Sequence, residues 1–165
     1  MTTLASRDIR GMAFWLMGDL STALPPGLLW IFVVCFLAAT GAIYTTASDL
    51  NLLLSGEREA MHLGVDVTRV KLVVYVSASV LTGLAVSVSG SIGYVGLLVP
   101  HVIRMLFGSD YRLLIPTAAI GGAIAVVFAD TLARTVVAPT ELPVGAMTAI
   151  AGAPVFIYLL RRRLA

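Results

Sequence analysis

The chain has 165 residues, of which 59% are hydrophobic and only 12% are charged. A soluble domain of that length has too little interior to bury so much apolar surface, so the bilayer must serve as its solvent. The formal net charge is only +2 and no basic stripe runs along the chain, which excludes a nucleic-acid-binding protein. The single cysteine, Cys35, lies in an apolar run; it can form no internal disulfide, has no metal-ligand spacing around it, and reads as a packing residue.

The first twenty residues carry Arg7 and Arg10, but their apolar stretch is short and is flanked by Asp8 and Asp19, a poor pattern for a signal peptide. A short amphipathic helix at the membrane interface fits better, with Met12, Phe14, Trp15, Leu16 and Met17 on its apolar side. Stretches long enough to cross about 30 Å of hydrocarbon follow at Pro26–Thr46, Val70–Val88, Leu113–Val137 and Val144–Leu160. A fifth, shorter stretch at Ile92–Phe107 carries His101 and Arg104, and it is needed to join its neighbours through so little loop. The expectation is an all-α polytopic bundle with five spans in a single membrane domain over residues 1–165. It is preceded by an outer segment (1–24) and interrupted by a longer loop at 49–68.

Arg58, Arg69, Lys71, Arg104, Arg112 and the run Arg161–Arg163 fall beside alternate loops, those at 49–68 and 108–112 and the C-terminal tail. Cytoplasmic loops retain positive charge, so these loops and the C-terminus are expected inside. The loops at 89–91 and 138–143 contain no basic residue and are expected outside. An outside N-terminus with nothing to carry it across suggests that an earlier helix is missing and that the chain is a piece of a longer membrane protein.

Three constellations invite a chemical reading. In the 49–68 loop, Ser55 is placed to cap a short helix that begins with Glu57 and Glu59 and ends at Gly64, and Ala60 offers a small surface for another protein's groove. A solvated connector is the alternative. Further on, Gly90, Gly93 and Gly96 are three apart, and a phosphate loop is excluded because no Gly-Lys-Ser/Thr follows. Small residues at that spacing let helix backbones approach closely in a membrane, with sliding during a transport cycle as the further possibility.

The third set is polar: His101 and Arg104 after Pro100, Asp130 with Arg134, and Glu141 before Pro143. Ionisable side chains at the centre of a span cost roughly 2.5–3.5 kcal/mol each on insertion scales, so they pair or line a polar interior. Asp130 and Arg134, four apart on one helical face, can pair, and Arg134 lies near the outer surface where it could meet a partner's carboxylate. His101, a lone histidine beside a proline, reads as a packed, hydrogen-bonded residue rather than a metal ligand or proton relay. No nucleophile with a base and no paired carboxylates appear, so an enzyme reading has nothing to stand on, and no cofactor or metal is expected in this chain.

The run Gly90-Ser91-Ile92-Gly93-Tyr94-Val95-Gly96-Leu97-Leu98-Val99-Pro100-His101-Val102-Ile103-Arg104 resembles the signature of FecCD-type permeases, subunits of ABC importers for iron-siderophore complexes, haem or cobalamin. Asp110-Tyr111-Arg112, Ala129-Asp130-Thr131-Leu132-Ala133-Arg134, Glu141-Leu142-Pro143-Val144-Gly145 and Gly152-Ala153-Pro154 follow in the family's order. Trp15–Ser21 resembles its outer segment, and the loop with Gly56, Glu57, Ala60 and Gly64 resembles its ATPase-coupling element.

The resemblance implies the C-terminal half of a ten-helix permease in the bacterial inner membrane. Such a permease pairs with a second permease subunit around a central path and docks two ATPase subunits on its cytoplasmic face. It receives cargo from a periplasmic or lipid-anchored binding protein. On this reading Gly56, Glu57, Ala60 and Gly64 belong to the helix that enters the ATPase cleft, and Arg134 matches an outer arginine that pairs with the binding protein. Two departures stand out: Tyr111 follows Asp110 where many members have His, and Asp19 stands where a small residue is frequent. The competing readings are a split or truncated half that works only with a separate N-terminal half, and an ion-coupled secondary transporter using His101, Asp130 and Arg134.

Overall fold

The computed structural model describes residues 11, 15–20, 25–135 and 142–164, the side chains of 158–160 and 162–164 excepted. The described residues form seven helices and no strand: α1 (Pro26–Thr45), α2 (Ala47–Leu53), α3 (Glu57–His62), α4 (Val67–Ser89), α5 (Val95–Phe107), α6 (Tyr111–Thr135) and α7 (Val144–Leu164). By contact the chain divides into two compact units. One comprises Leu24–Ala85 and Ile103–Ala118, the other the described parts of Met1–Ala23, Val86–Val102 and Ala119–Ala165.

Helices α1, α4 and α6 are long and apolar enough to cross a membrane. Their large side chains point outward: Trp30, Ile31, Leu37, Tyr75, Val127 and Phe128 are all exposed. That inversion suits a bilayer, where lipid tails replace a protein interior. The chain is thus a multi-pass membrane protein.

The expected fifth span is shorter than the sequence suggests. α5 begins at Val95, not Ile92, and its 13 residues rise only about 20 Å, well under the hydrocarbon thickness. Residues 90–94 cannot extend the helix because Gly90 and Tyr94 both hold positive φ, 66° and 65°. In α7 the apolar helical stretch Val144–Ile157 is likewise shorter than a span among the described side chains.

Local chemistry explains the helix ends. α1 opens on Pro25 and Pro26, whose fixed φ suits a first turn where no N–H is needed. Asp66 starts α4 by accepting the Arg69 N–H at 3.0 Å through Oδ1. Asp110 does the same for α6, accepting the Arg112 N–H at 2.9 Å. Gly90 closes α4 in the left-handed region, its N–H donating to the Val86 carbonyl at 2.9 Å.

The segment between α1 and α4, expected as a loop carrying one short helix, holds two helices. Ser55 is not a cap: Gly56 occupies that place and no side chain caps α3. Gly64 does end the helix. Its N–H reaches the Met61 carbonyl and the Val65 N–H the Ala60 carbonyl, each at 3.0 Å, with Gly64 at φ 86°. This is the doubly bonded left-handed stop. Val65 then folds back onto Ala60, Val67 and Val70, a small apolar core against which Leu50, Leu52, Leu53 and Val74 pack.

Candidate functional site

Two places concentrate interactions between elements distant in sequence, one in each unit. The first surrounds α2 and α3. Gly56 sits at φ 120°, ψ 151°, a region that essentially only glycine occupies. A Cβ there would also meet the Glu59 carboxylate. Ala60, read from the sequence as a small outward surface, is instead fully buried. A methyl is what lets α3 lie close on α4, because anything larger would lift the helix off Val67 and Val70. The face presented outward is Glu57, Arg58, Glu59, Met61, His62 and Leu63. Met61 and Leu63 are more than half exposed, so the face mixes charge with apolar area. Glu57 reaches Lys71 on α4 at 2.6 Å; both side chains are well exposed, and water weakens such a pair.

α2 is tied to the start of α6. Asn51 donates through Nδ2 to Asp110 Oδ1 at 2.7 Å and accepts the Tyr111 N–H on Oδ1 at 2.8 Å. Arg112 donates to Ser48 Oγ at 2.9 Å. Arg104, at the end of α5, donates to the Tyr111 hydroxyl at 2.9 Å and lies 5.2 Å from the centre of its ring. The Asn51 amide, then the Arg112 N–H and charge, hold the Asp110 carboxyl below the usual carboxylate range. A carboxylate with a lowered folded pKa adds stability above its unfolded value near 4, and that stability is lost as pH falls through the folded value. Unfolding followed from pH 5 down to pH 2 should therefore show the wild type losing stability that Asp110→Asn does not lose; parallel curves would overturn this.

The second place is a backbone junction in the other unit. Gly18 accepts the Val144 N–H on its carbonyl, and Asp19 donates its N–H to the Ser89 carbonyl, both at 3.0 Å. One short segment therefore accepts the first N–H of α7 and donates to the last carbonyl of α4. The approach is close enough to require glycine on all three sides. A Cβ on Gly18 would lie 2.9 Å from the Ser91 carbonyl oxygen; on Gly90 it would strike the Trp15 carbonyl; on Gly145, the Met17 and Ser91 carbonyls.

The glycines at 90, 93 and 96 do not form the expected stripe on one helix face. Gly90 and Gly93 precede α5, only Gly96 lies in it, and neither Gly93 nor Gly96 has anything near its missing Cβ. Pro143 supplies the carbonyl that accepts the first turn of α7, from Ala146 at 3.1 Å. Glu141 lies outside the described residues, as does most of the expected interfacial helix; Trp15 and Leu16 are helical and exposed.

The same unit holds a cavity of about 310 Å³ between α5, α6 and α7, walled chiefly by Tyr94, Leu98, Phe128, Leu132, Met147 and Val155. Tyr94 stands in the left-handed region, which costs a side-chain-bearing residue roughly 1–2 kcal/mol. Its side chain occupies the space that a Cβ on Gly152 would need. Asp130 and Arg134 pair as expected, Nε to Oδ2 at 2.9 Å. Pro100 lies inside α5, and His101 after it is half-buried, its imidazole making no hydrogen bond with another described residue. No group of three His, Cys, Asp or Glu side chains that could hold a metal occurs among the described residues.

Sequence reading missed Asn51, Ser48, Gly18 and Tyr94. Gly18 and Tyr94 lie inside runs that resemble the family, but nothing local marks their backbone conformations. Asn51 and Ser48 carry no local signal at all, since their partners lie about sixty positions away.

The chain is 45% identical to the hemin transport system permease protein of Yersinia pestis, over 95% of this chain and 47% of that protein. It is 44% identical to the cobalamin import system permease protein of Halobacterium salinarum, over 96% and 42%. With the iron(3+)-hydroxamate import system permease protein of Bacillus subtilis it shares 42% identity, over 92% and 39%. It thus spans less than half the length of these relatives. A solved structure of a metal-chelate type ABC transporter, in an inward-facing conformation, superposes with a TM-score of 0.81 and 36% identity, over 93% of this chain and 49% of the other. The signature runs, the helix order and a match over residues 1–162 together place the chain in the FecCD transport family.

Proposed function

We propose that this chain forms membrane-spanning helices of the permease in an ATP-driven importer for an iron chelate, haem or cobalamin. The observation that carries the reading is the α2–α3 pair: two short helices, interposed between long apolar ones, that present a mixed charged and apolar face outward. A mere connector needs no such face. α3 rests on α4 through Ala60 and the Glu57–Lys71 pair. A push on α3 would therefore reach α4 directly.

In the proposed cycle, ATP binding and hydrolysis occur on separate ATPase subunits that dock on this face, and the permease supplies two conformations of different stability. The basic residues beside α2, α3 and the α5–α6 turn, with Arg161–Arg163, support a cytoplasmic side for that face and the C-terminus, since cytoplasmic loops retain positive charge. A second permease subunit would complete the path, and a binding protein would deliver cargo on the outer side. Arg134, near the end of α6 and paired with Asp130, is the proposed docking arginine there.

The test is co-purification of the chain with its ATPase. Retention that depends on an intact α3 supports the reading; no retention from the assembled permease overturns it. For the outer side, Arg134→Glu should weaken binding-protein affinity at least tenfold at low salt and less at high salt, with Arg134→Lys close to wild type. Equal affinity for all three would remove Arg134 from that role.

A further inference from the structure

The side chains that hold α2 on the start of α6 stand apart from the outward face of α3, and nothing in the reading above uses them. α2 has seven residues, too few to hold a helix on its own, so its position is set by what it touches. Its inner side shares the apolar core of α3 and α4 through Leu50, Leu52 and Leu53. Asn51 and Ser48 bind Asp110, Tyr111 and Arg112, the cap and first turn of α6.

We infer that Asn51 is a positioning residue that couples the α2–α3 pair to α6, so that motion of the docking face is passed to two transmembrane helices, α4 and α6, rather than to α4 alone. This rests on the reading of α3 as an ATPase-docking helix. Asn51 suits the task because a single planar amide both donates and accepts. It binds a carboxylate on one side and a helix N–H on the other, and no single-function side chain does both. The three groups are fixed within one turn of helix, so α2 cannot shift without moving the α6 cap or breaking these bonds. α6 then continues as one helix from Tyr111 to Thr135, with Pro116 in its second turn, and carries the displacement onward.

The bond pattern allows a reciprocal test. In Asn51→Asp two carboxylates face each other at a 2.7 Å contact, and the clasp opens. Adding Asp110→Asn swaps the two residues and restores the contact between them with donor and acceptor exchanged. The new amide at 110 donates to the carboxylate at 51 and that carboxylate accepts the Tyr111 N–H, while the bond from the Arg112 N–H is given up, because Oδ1 of Asp110 accepts both in the wild type. The permease, assembled with its ATPase and binding protein in lipid vesicles, is assayed for cargo moved per ATP hydrolysed. In parallel, hydrogen exchange of the Tyr111 amide reports the clasp without any partner.

Asn51→Asp should lower transport per ATP about tenfold and speed Tyr111 exchange about tenfold. The swapped pair, with the 51–110 and 51–Tyr111 bonds regained, should recover most of both losses. A purely structural role would reduce the amount of assembled complex while leaving transport per ATP unchanged. Faster Tyr111 exchange with unchanged transport per ATP therefore overturns the inference, as does a swapped pair no better coupled than Asn51→Asp. A wild-type permease that retains no ATPase overturns the inference together with the docking reading beneath it, even where the exchange pattern follows the clasp.

Discussion

Gly90→Ala should destabilise the membrane fold by about 3 kcal/mol or more, while Gly93→Ala, three residues on, should be neutral or stabilising by up to about 1 kcal/mol. The contrast comes from tertiary contact. Gly90 holds φ 66°, where a Cβ costs roughly 1–2 kcal/mol in backbone strain, and that Cβ would strike the Trp15 carbonyl. The obstacle is backbone rather than a flexible side-chain end. Relief would require the 15–19 segment to move and give up the Asp19–Ser89 and Gly18–Val144 hydrogen bonds. Each such bond contributes about 0.5–1.5 kcal/mol net. Nothing lies within 4 Å of a Cβ on Gly93, whose φ is not positive, so alanine there only restricts the unfolded chain. Denaturant unfolding in detergent micelles would compare the two variants. Similar midpoints would mean that the three-glycine junction is looser than the structure shows.

The second large effect is expected at the ends of α3, in coupling rather than in stability. Gly64→Val should lower transport per ATP tenfold or more in the assembled importer, with Gly64→Asn losing much less. The space around Gly64 is open, so bulk as such is tolerated; the constraint is φ 86°, which Asn adopts far more readily than a β-branched residue. Valine would push residue 64 out of the left-handed region and break the bonds to Met61 and Ala60 that fix where α3 stops. Ala60 would then leave the core, and the outward face would turn. At the other end Gly56→Ala should act in the same direction, since φ 120° with ψ 151° is closed to alanine at a cost of order 1–3 kcal/mol. Equal coupling in Gly64→Val and Gly64→Asn would show that α3 does not need this stop.

Much of the helical plan was legible because its signals are local. The largely apolar run at Pro26–Thr46 declares α1, and those at Val70–Val88 and Leu113–Val137 declare α4 and α6. The i, i+4 spacing of Asp130 and Arg134 was enough to predict their ion pair. Errors came where one local pattern allowed two structures. Glycines every third residue read as a helix face, yet two of the three belong to the bend before α5. Ser55 looked like a better cap than Gly56, but the backbone at 56 needs a conformation that serine avoids. Ala60 between charged residues looked outward-facing, and its burial depends on Val65 turning back.

By itself, then, the sequence determined that the chain is all-α, lives in a bilayer and belongs with the FecCD permeases, because hydropathy, helix length and motif order are properties of neighbouring residues. Tertiary structure alone decided that Gly18, Gly90 and Gly145 meet at one junction and that Ala60 points inward. It alone paired Asn51 with Asp110 across fifty-nine positions. Each of these depends on which groups, distant along the chain, the fold brings into contact, and no local spacing encodes that contact.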